Sequence, residues 1–148
     1  MTFTAELQLT TFLAFLLNIE TKIMKIKEIR SLLDAKLLCG ESKLEEEVYT
    51  ACGSDMMSDV LAYVEDQSIL LTGLVNTQVV RTAGMMDMRC IVFVRSKTPT
   101  PEMIKLADEY GIVLMSTAYR MFEACGKLYA LGLTGQTPAK SESGGAGE

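Results

Sequence analysis

Ile69-Leu70-Leu71-Thr72-Gly73, Cys90-Ile91-Val92-Phe93-Val94-Arg95-Ser96 and Ile112-Val113-Leu114-Met115-Ser116-Thr117 are three versions of one pattern. Each is a short apolar run that ends in hydroxyl-bearing or small residues and leads into a helical pattern. A strand that is apolar throughout is buried on both faces, as happens when helices cover a parallel sheet. The repetition therefore predicts βαβ units and an α/β fold: a small, mostly parallel sheet flanked by helices. Such sheets bind ligands beyond the carboxyl ends of their strands, so the residues at those ends are the first candidates for function.

Working outward, Asn76 or Thr77 caps a helix that turns Val79, Val80, Ala83 and Met86 inward. Pro101 suits the first turn of the next helix, where Ile104, Ala107 and Tyr110 recur on one face and Gly111 stands at the C-cap. The last helix runs from Ala118 to Leu131, with Phe122, Cys125, Leu128 and Leu131 towards the core and Gly132 as its stop. Upstream, Ile26, Ile29, Leu32 and Leu33 predict a helix over Lys25 to Leu33, and Ala35 to Leu38 a short strand ended by Gly40. Glu46 to Cys52 reads as one further strand, with Val48, Thr50 and Cys52 on one face. Ser54-Asp55 then caps a helix to about Val64, whose apolar face is Met56, Met57, Val60, Leu61 and Val64.

The chain of 148 residues is long enough for one core, and its 49% hydrophobic and 22% charged residues are ordinary for a globular domain. A net charge of −5 argues against nucleic acid, which needs a basic footprint. The leader over residues 1–23 contains Phe12-Leu13-Ala14-Phe15-Leu16-Leu17. That run is too short to cross a membrane, which takes about 20 apolar residues, and it lacks the basic start of a signal peptide. It is expected to be an extension outside the domain, or the product of an upstream start codon, with Met24 opening the folded unit over residues 24–133. The Gly- and Ser-rich residues 134–148 are expected to form a disordered tail.

Histidine is absent, which removes the commonest general base and the favoured imidazole metal ligand. Cys39, Cys52, Cys90 and Cys125 form no C-x-x-C pair, so they read as apolar thiols in a reducing, cytoplasmic setting rather than as a zinc site or disulfides. A P-loop, a G-x-G-x-x-G fingerprint and a G-x-S-x-G elbow are all missing from the sequence. No catalytic residue, metal or cofactor is expected. The ten methionines read as core filler or a pliable interface.

Two polar constellations remain. Asp55 and Asp59, four residues apart, read either as paired carboxylates for acid–base work or Mg²⁺, or as an N-cap with an acidic first turn; the capping reading ranks first. Thr72 and Gly73 with Asn76 and Thr77, Ser96 with Thr98, and Ser116 with Thr117 each precede a helix on the same edge of the sheet. Helix N-termini offer unpaired N–H groups to phosphates and carboxylates, and Arg95 and Lys97 add positive charge there. These residues are either ordinary caps or a shared anion site, and Thr72, Gly73, Asn76, Thr77, Ser96, Ser116 and Thr117 are the candidate ligand contacts.

From Leu70 to Lys127 the succession Leu-Leu-Thr-Gly, helix, Cys-Ile-Val-Phe-Val, helix ending Tyr110-Gly111-Ile112, then Leu-Met-Ser-Thr-Ala-Tyr resembles the DRTGG domain. Leu37 to Val64, with Gly-Ser-Asp-Met-Met-Ser-Asp-Val-Leu, resembles its small stand-alone bacterial versions. The likeness implies a fold like the N-terminal domain of HPr kinase/phosphorylase, which is non-catalytic. It also implies kinship with modules that accompany CBS domains in regulatory pyrophosphatases, where adenine nucleotides bind, and that precede some phosphotransacetylases. The chain departs from the family pattern at Leu74-Val75-Asn76, near the usual Asp-Arg, and at Val94-Arg95-Ser96, in place of Thr-Gly-Gly. The expectation is a regulatory or ligand-sensing module for an adenine nucleotide or other phosphorylated metabolite, homodimeric, with neither nucleic acid nor membrane as partner. A protein–protein adaptor without a small ligand is the alternative. A phosphotransfer enzyme ranks last, because the P-loop is missing.

Overall fold

The computed structural model describes residues 5–6, 8–9, 23–64 and 68–135. The rest of the expected leader and tail, Phe12 to Leu17 included, lies outside the described residues. In chain order the elements are β1 (Met24–Lys25), α1 (Ile26–Leu32), β2 (Lys36–Cys39), a 3-10 turn (Glu41–Lys43), β3 (Glu47–Val48) and β4 (Thr50–Gly53). They continue with α2 (Met57–Tyr63), β5 (Ser68–Thr72), α3 (Thr77–Met85), β6 (Cys90–Phe93), α4 (Pro101–Tyr110), β7 (Val113–Ser116) and α5 (Met121–Ala130).

The main sheet has five strands in the order β2-β7-β6-β5-β4. The strands β4 to β7 are parallel, and β2 runs antiparallel along the β7 edge with Lys36 opposite Ser116. The α/β architecture predicted from the strand–helix repetition is thus present. Successive parallel strands are neighbours, so three crossovers of one hand stack α2, α3 and α4 on a single face. That face buries Val60, Val79, Val80, Met103 and Ala107 against Leu70, Ile91, Phe93 and Leu114. After β7 the chain passes to the other side, where Ala124 and Leu128 of α5 join Ile26 and Ile29 of α1 over Ile69, Leu71, Val92 and Met115. Alternate residues of β5 thus feed opposite cores, which is why the strand is apolar throughout. Each such side chain contributes about 1.5–3 kcal/mol on burial.

Several details differ from the sequence reading. Glu46 to Cys52 is not one strand: Val48 pairs with Met24 in a separate two-stranded ribbon, and β4 pairs with β5. The chain bends at Tyr49 to change partners, and an alternating pattern that persists across a bend hides it. Phe122 is 88% and Leu131 47% exposed, against the expected core face. Steps of three fall short of the 3.6-residue turn, so Phe122 and Leu131 stand about 180° apart around the axis, and only the middle of that row can face inward. The same drift leaves Tyr110 49% exposed, while Met103 and Ala107, four apart, carry the buried face of α4. Among the described side chains of α2 only Val60 is fully buried; Met56 precedes the helix and Leu61 points outward.

Candidate functional site

At the end of β5 the buried Thr72 hydroxyl donates to Asp55 Oδ1 at 3.0 Å, and the Gly73 N–H donates to the same oxygen at 2.7 Å. Thr72 Oγ1 also accepts from Leu74 N at 3.1 Å, which shapes the exit from the strand. Asp55 therefore does not cap α2, as its position in sequence suggests. The N-cap is Met56, without a side-chain bond, and Ser54 Oγ accepts locally from Met56 N. The carboxylate reaches instead to the neighbouring strand, because the parallel pairing of β4 with β5 sets Gly53 beside Leu71. Asp59 remains in the first turn of α2, where the helix dipole favours a carboxylate.

After β6 the chain makes a tight turn in which Lys97 N donates to Val94 O at 3.2 Å, with Arg95 at φ +58° and Ser96 at φ +55°. Two consecutive left-handed residues define a type I′ turn, a geometry that glycine adopts freely and that strains other residues. The turn lays the Arg95 side chain over Gly73, where a Cβ would run into the guanidinium. A side chain at Gly73 would therefore displace the flexible end of Arg95, and no left-handed backbone conformation calls for glycine there.

The loops after β6 and β7 leave towards opposite faces of the sheet and are laced together. Arg95 N donates to Tyr119 O and Ser96 N to Thr117 O, each at 2.8 Å. The Ser116 hydroxyl donates to Lys97 O at 2.8 Å, and the buried Thr117 hydroxyl donates to Leu33 O at 2.6 Å. Asn76 caps α3 by accepting from Val79 N at 3.1 Å, with Thr77 as the first helical residue. Thr100, which sequence reasoning passes over, caps α4 by accepting from Met103 N at 3.3 Å.

A cleft of about 320 Å³ lies against these loops, lined by Ser96, Thr98, Ser116 and Thr117 together with Lys36 and Asp34. The structure thus brings Ser96, Ser116 and Thr117 to one cleft. Thr72, Gly73, Asn76 and Thr77 stand at the adjoining strand end, where Asp55 and Arg95 meet Gly73. Lys36 has no local signal in sequence; only the antiparallel register with β7 delivers it.

Elsewhere the chemistry is quiet. Cys39, Cys52, Cys90 and Cys125 are free, and burial pushes every one of these thiols above the ordinary range, which disfavours a thiolate nucleophile. Among the described residues no group of three acidic or cysteine side chains could hold a metal ion. No described helix is long and apolar enough to cross a membrane.

The profile of the DRTGG domain matches residues 28–131, which takes in nearly all of α1 through α5. The chain belongs to the DRTGG domain family. Among solved structures, this DRTGG chain is similar to the CBS and DRTGG domains of the regulatory region of Clostridium perfringens pyrophosphatase, complexed with the activator diadenosine tetraphosphate. The TM-score is 0.61 at 16% identity, over 78% of this chain and 48% of that one. The chain therefore spans about half the length of that structure, and the likeness is one of fold. Comparison with curated proteins gives no match. Within the matched range, Arg95 and Ser96 after β6 both hold the left-handed backbone that glycine adopts most freely.

Proposed function

We propose that this DRTGG chain is a non-catalytic regulatory module that senses a small phosphorylated ligand, with an adenine nucleotide as the first candidate, at the carboxyl ends of β5 to β7. The carrying observation is the Asp55 carboxylate on the Thr72 hydroxyl and the Gly73 N–H, with the Arg95 guanidinium alongside. An anion is already held at that point by a backbone donor and a hydroxyl, and a phosphate that takes the place exchanges with Asp55. Ser96, Ser116 and Thr117 line the adjacent cleft and complete the contact set. A pyrophosphatase regulatory region of related fold, complexed with a diadenosine activator, supports a nucleotide as the first choice. Four free thiols fit a reducing cytoplasm, and a two-fold dimer is the expected assembly.

One observation favours a second reading, a protein–protein adaptor. Helix α5 turns Phe122 and Tyr129 outward, 88% and 66% exposed, with Gly126 between them facing open space. Titration of AMP and ATP into isotope-labelled full-length chain separates the two. The sensing reading expects saturable amide shifts at Thr72, Gly73, Ser96 and Ser116. No shift with any nucleotide, together with self-association or partner capture lost in Phe122→Ser, would put the adaptor ahead.

A further inference from the structure

A cavity of about 580 Å³ lies at the opposite end of the parallel strands, beside Arg89 before β6 and Ile112 before β7. Its volume falls within the range of about 300–1,000 Å³ typical of small-molecule sites. Lys43, Arg81 and Arg89 supply three cations against the carboxylates of Glu46 and Asp87, a local excess of positive charge in a chain of net charge −5.

These charges are loosely engaged. Glu46 is shared between Lys43 at 3.8 Å and Arg89 at 3.7 Å, both beyond hydrogen-bonding distance. The Lys43 ammonium lies against Gly111, the C-cap of α4, where it offsets the partial negative charge of that helix end. Arg81, exposed on α3, has no ion pair among the described residues, so its planar fork of donors is open to a ligand.

The wall beside Arg81 is aromatic. Tyr110 lies on Gly84 of α3 so closely that a Cβ there would come within 2.8 Å of its ring. The residue is 49% exposed, and Met85, 65% exposed, adds a polarisable thioether at the rim. A flat ring beside an open guanidinium suits one kind of molecule.

We infer that this cavity is a second ligand site, which takes a small molecule with a flat ring and an anionic group: the ring stacks on Tyr110 and the anion pairs with Arg81 and Arg89. The assignment does not rest on the carboxyl-end reading, since the two sites lie at opposite ends of the strands. AMP is the probe, with adenosine supplying the ring alone and inorganic phosphate the anion alone. Titrated into the labelled full-length chain, AMP should shift the amides of Gly84, Tyr110 and Gly111 in a saturable way, and should bind more tightly than either fragment. Arg81→Gln and Tyr110→Leu should each weaken that binding about tenfold, whereas Tyr110→Phe, which keeps the ring, should stay within about twofold. Neither side chain belongs to the buried core, so the melting temperature should hold in all three variants. The proposal is overturned if saturable shifts arise only around Thr72 and Gly73, if AMP binds no better than phosphate or adenosine, or if Tyr110→Leu binds as the native chain does. Shifts at Gly84 and Tyr110 without any at Thr72 would sustain it and defeat the carboxyl-end reading instead.

Discussion

At the carboxyl ends of the strands the polar groups bond to one another. Ser116 bonds Lys97 O, Thr117 bonds Leu33 O, Asn76 caps α3, and Thr72 with Gly73 holds Asp55. At the amino ends Arg81 has no ion pair among the described residues, and Glu46 meets its cations only beyond 3.5 Å. Both ends carry cations with no ion pair among the described residues, Lys36, Arg95 and Lys97 at the carboxyl end as well as Arg81 at the amino end, but a ligand that takes the Thr72 and Gly73 donors has to replace an internal bond. Short hydroxyl and amide side chains beside strand ends act first as fasteners, because their reach matches the backbone groups of the next loop. Long cations from separate elements cannot be satisfied so locally, and they are what remains for a partner.

The contrast breaks most directly at Thr117. Thr117→Val should cost about 1–3 kcal/mol, since it strips the Leu33 carbonyl of a donor in a buried setting. Urea denaturation measures this; an unchanged midpoint would mean that the hydroxyl is no fastener. A smaller effect is expected at Asp55. Asp55→Ala should destabilise the fold by about 0.5–1.5 kcal/mol while raising the affinity of inorganic phosphate or AMP at Thr72 and Gly73, because the internal competitor has gone. Denaturation with parallel titration tests both halves, and weaker binding would show that Asp55 belongs to the ligand's contacts rather than competing with them. The smallest change belongs to the other end. Glu46→Gln should move stability by less than about 0.5 kcal/mol, as long, half-exposed ion pairs contribute little. A larger loss in the same denaturation assay would show the amino end to be fastened as firmly as the carboxyl end and would erase the contrast.

Much of the fold is legible in order along the chain. Each apolar run followed by a helical pattern is a parallel strand with its crossover helix, since burial on both faces demands apolar residues at every position. Gly111 takes the left-handed C-cap of α4 at φ +70°, and Asn76 the N-cap of α3, because both roles depend on residue type and immediate neighbours. Spacing misleads about the faces of α4 and α5 at Tyr110 and Phe122: a step of three matches a helix over two positions and drifts out of register beyond them. Asp55 reads as a cap for the helix beside it in sequence, whereas its partners stand 17 and 18 residues away on the next strand.

By itself the sequence determined the α/β class, the succession of strands and helices, a cap for α3 at Asn76 or Thr77, the C-cap of α4 at Gly111, and the want of histidine and phosphate-loop chemistry, all of which follow from residue type and short-range spacing. Tertiary structure alone decided which strand Asp55 would reach, that Arg95 would lie over Gly73, that Lys36 would face Ser116, and that Tyr110 would settle on Gly84. Those contacts depend on how strands pair in register and on how helices settle in phase over the sheet. Both are fixed by packing the whole core at once, and no local run of residues encodes them.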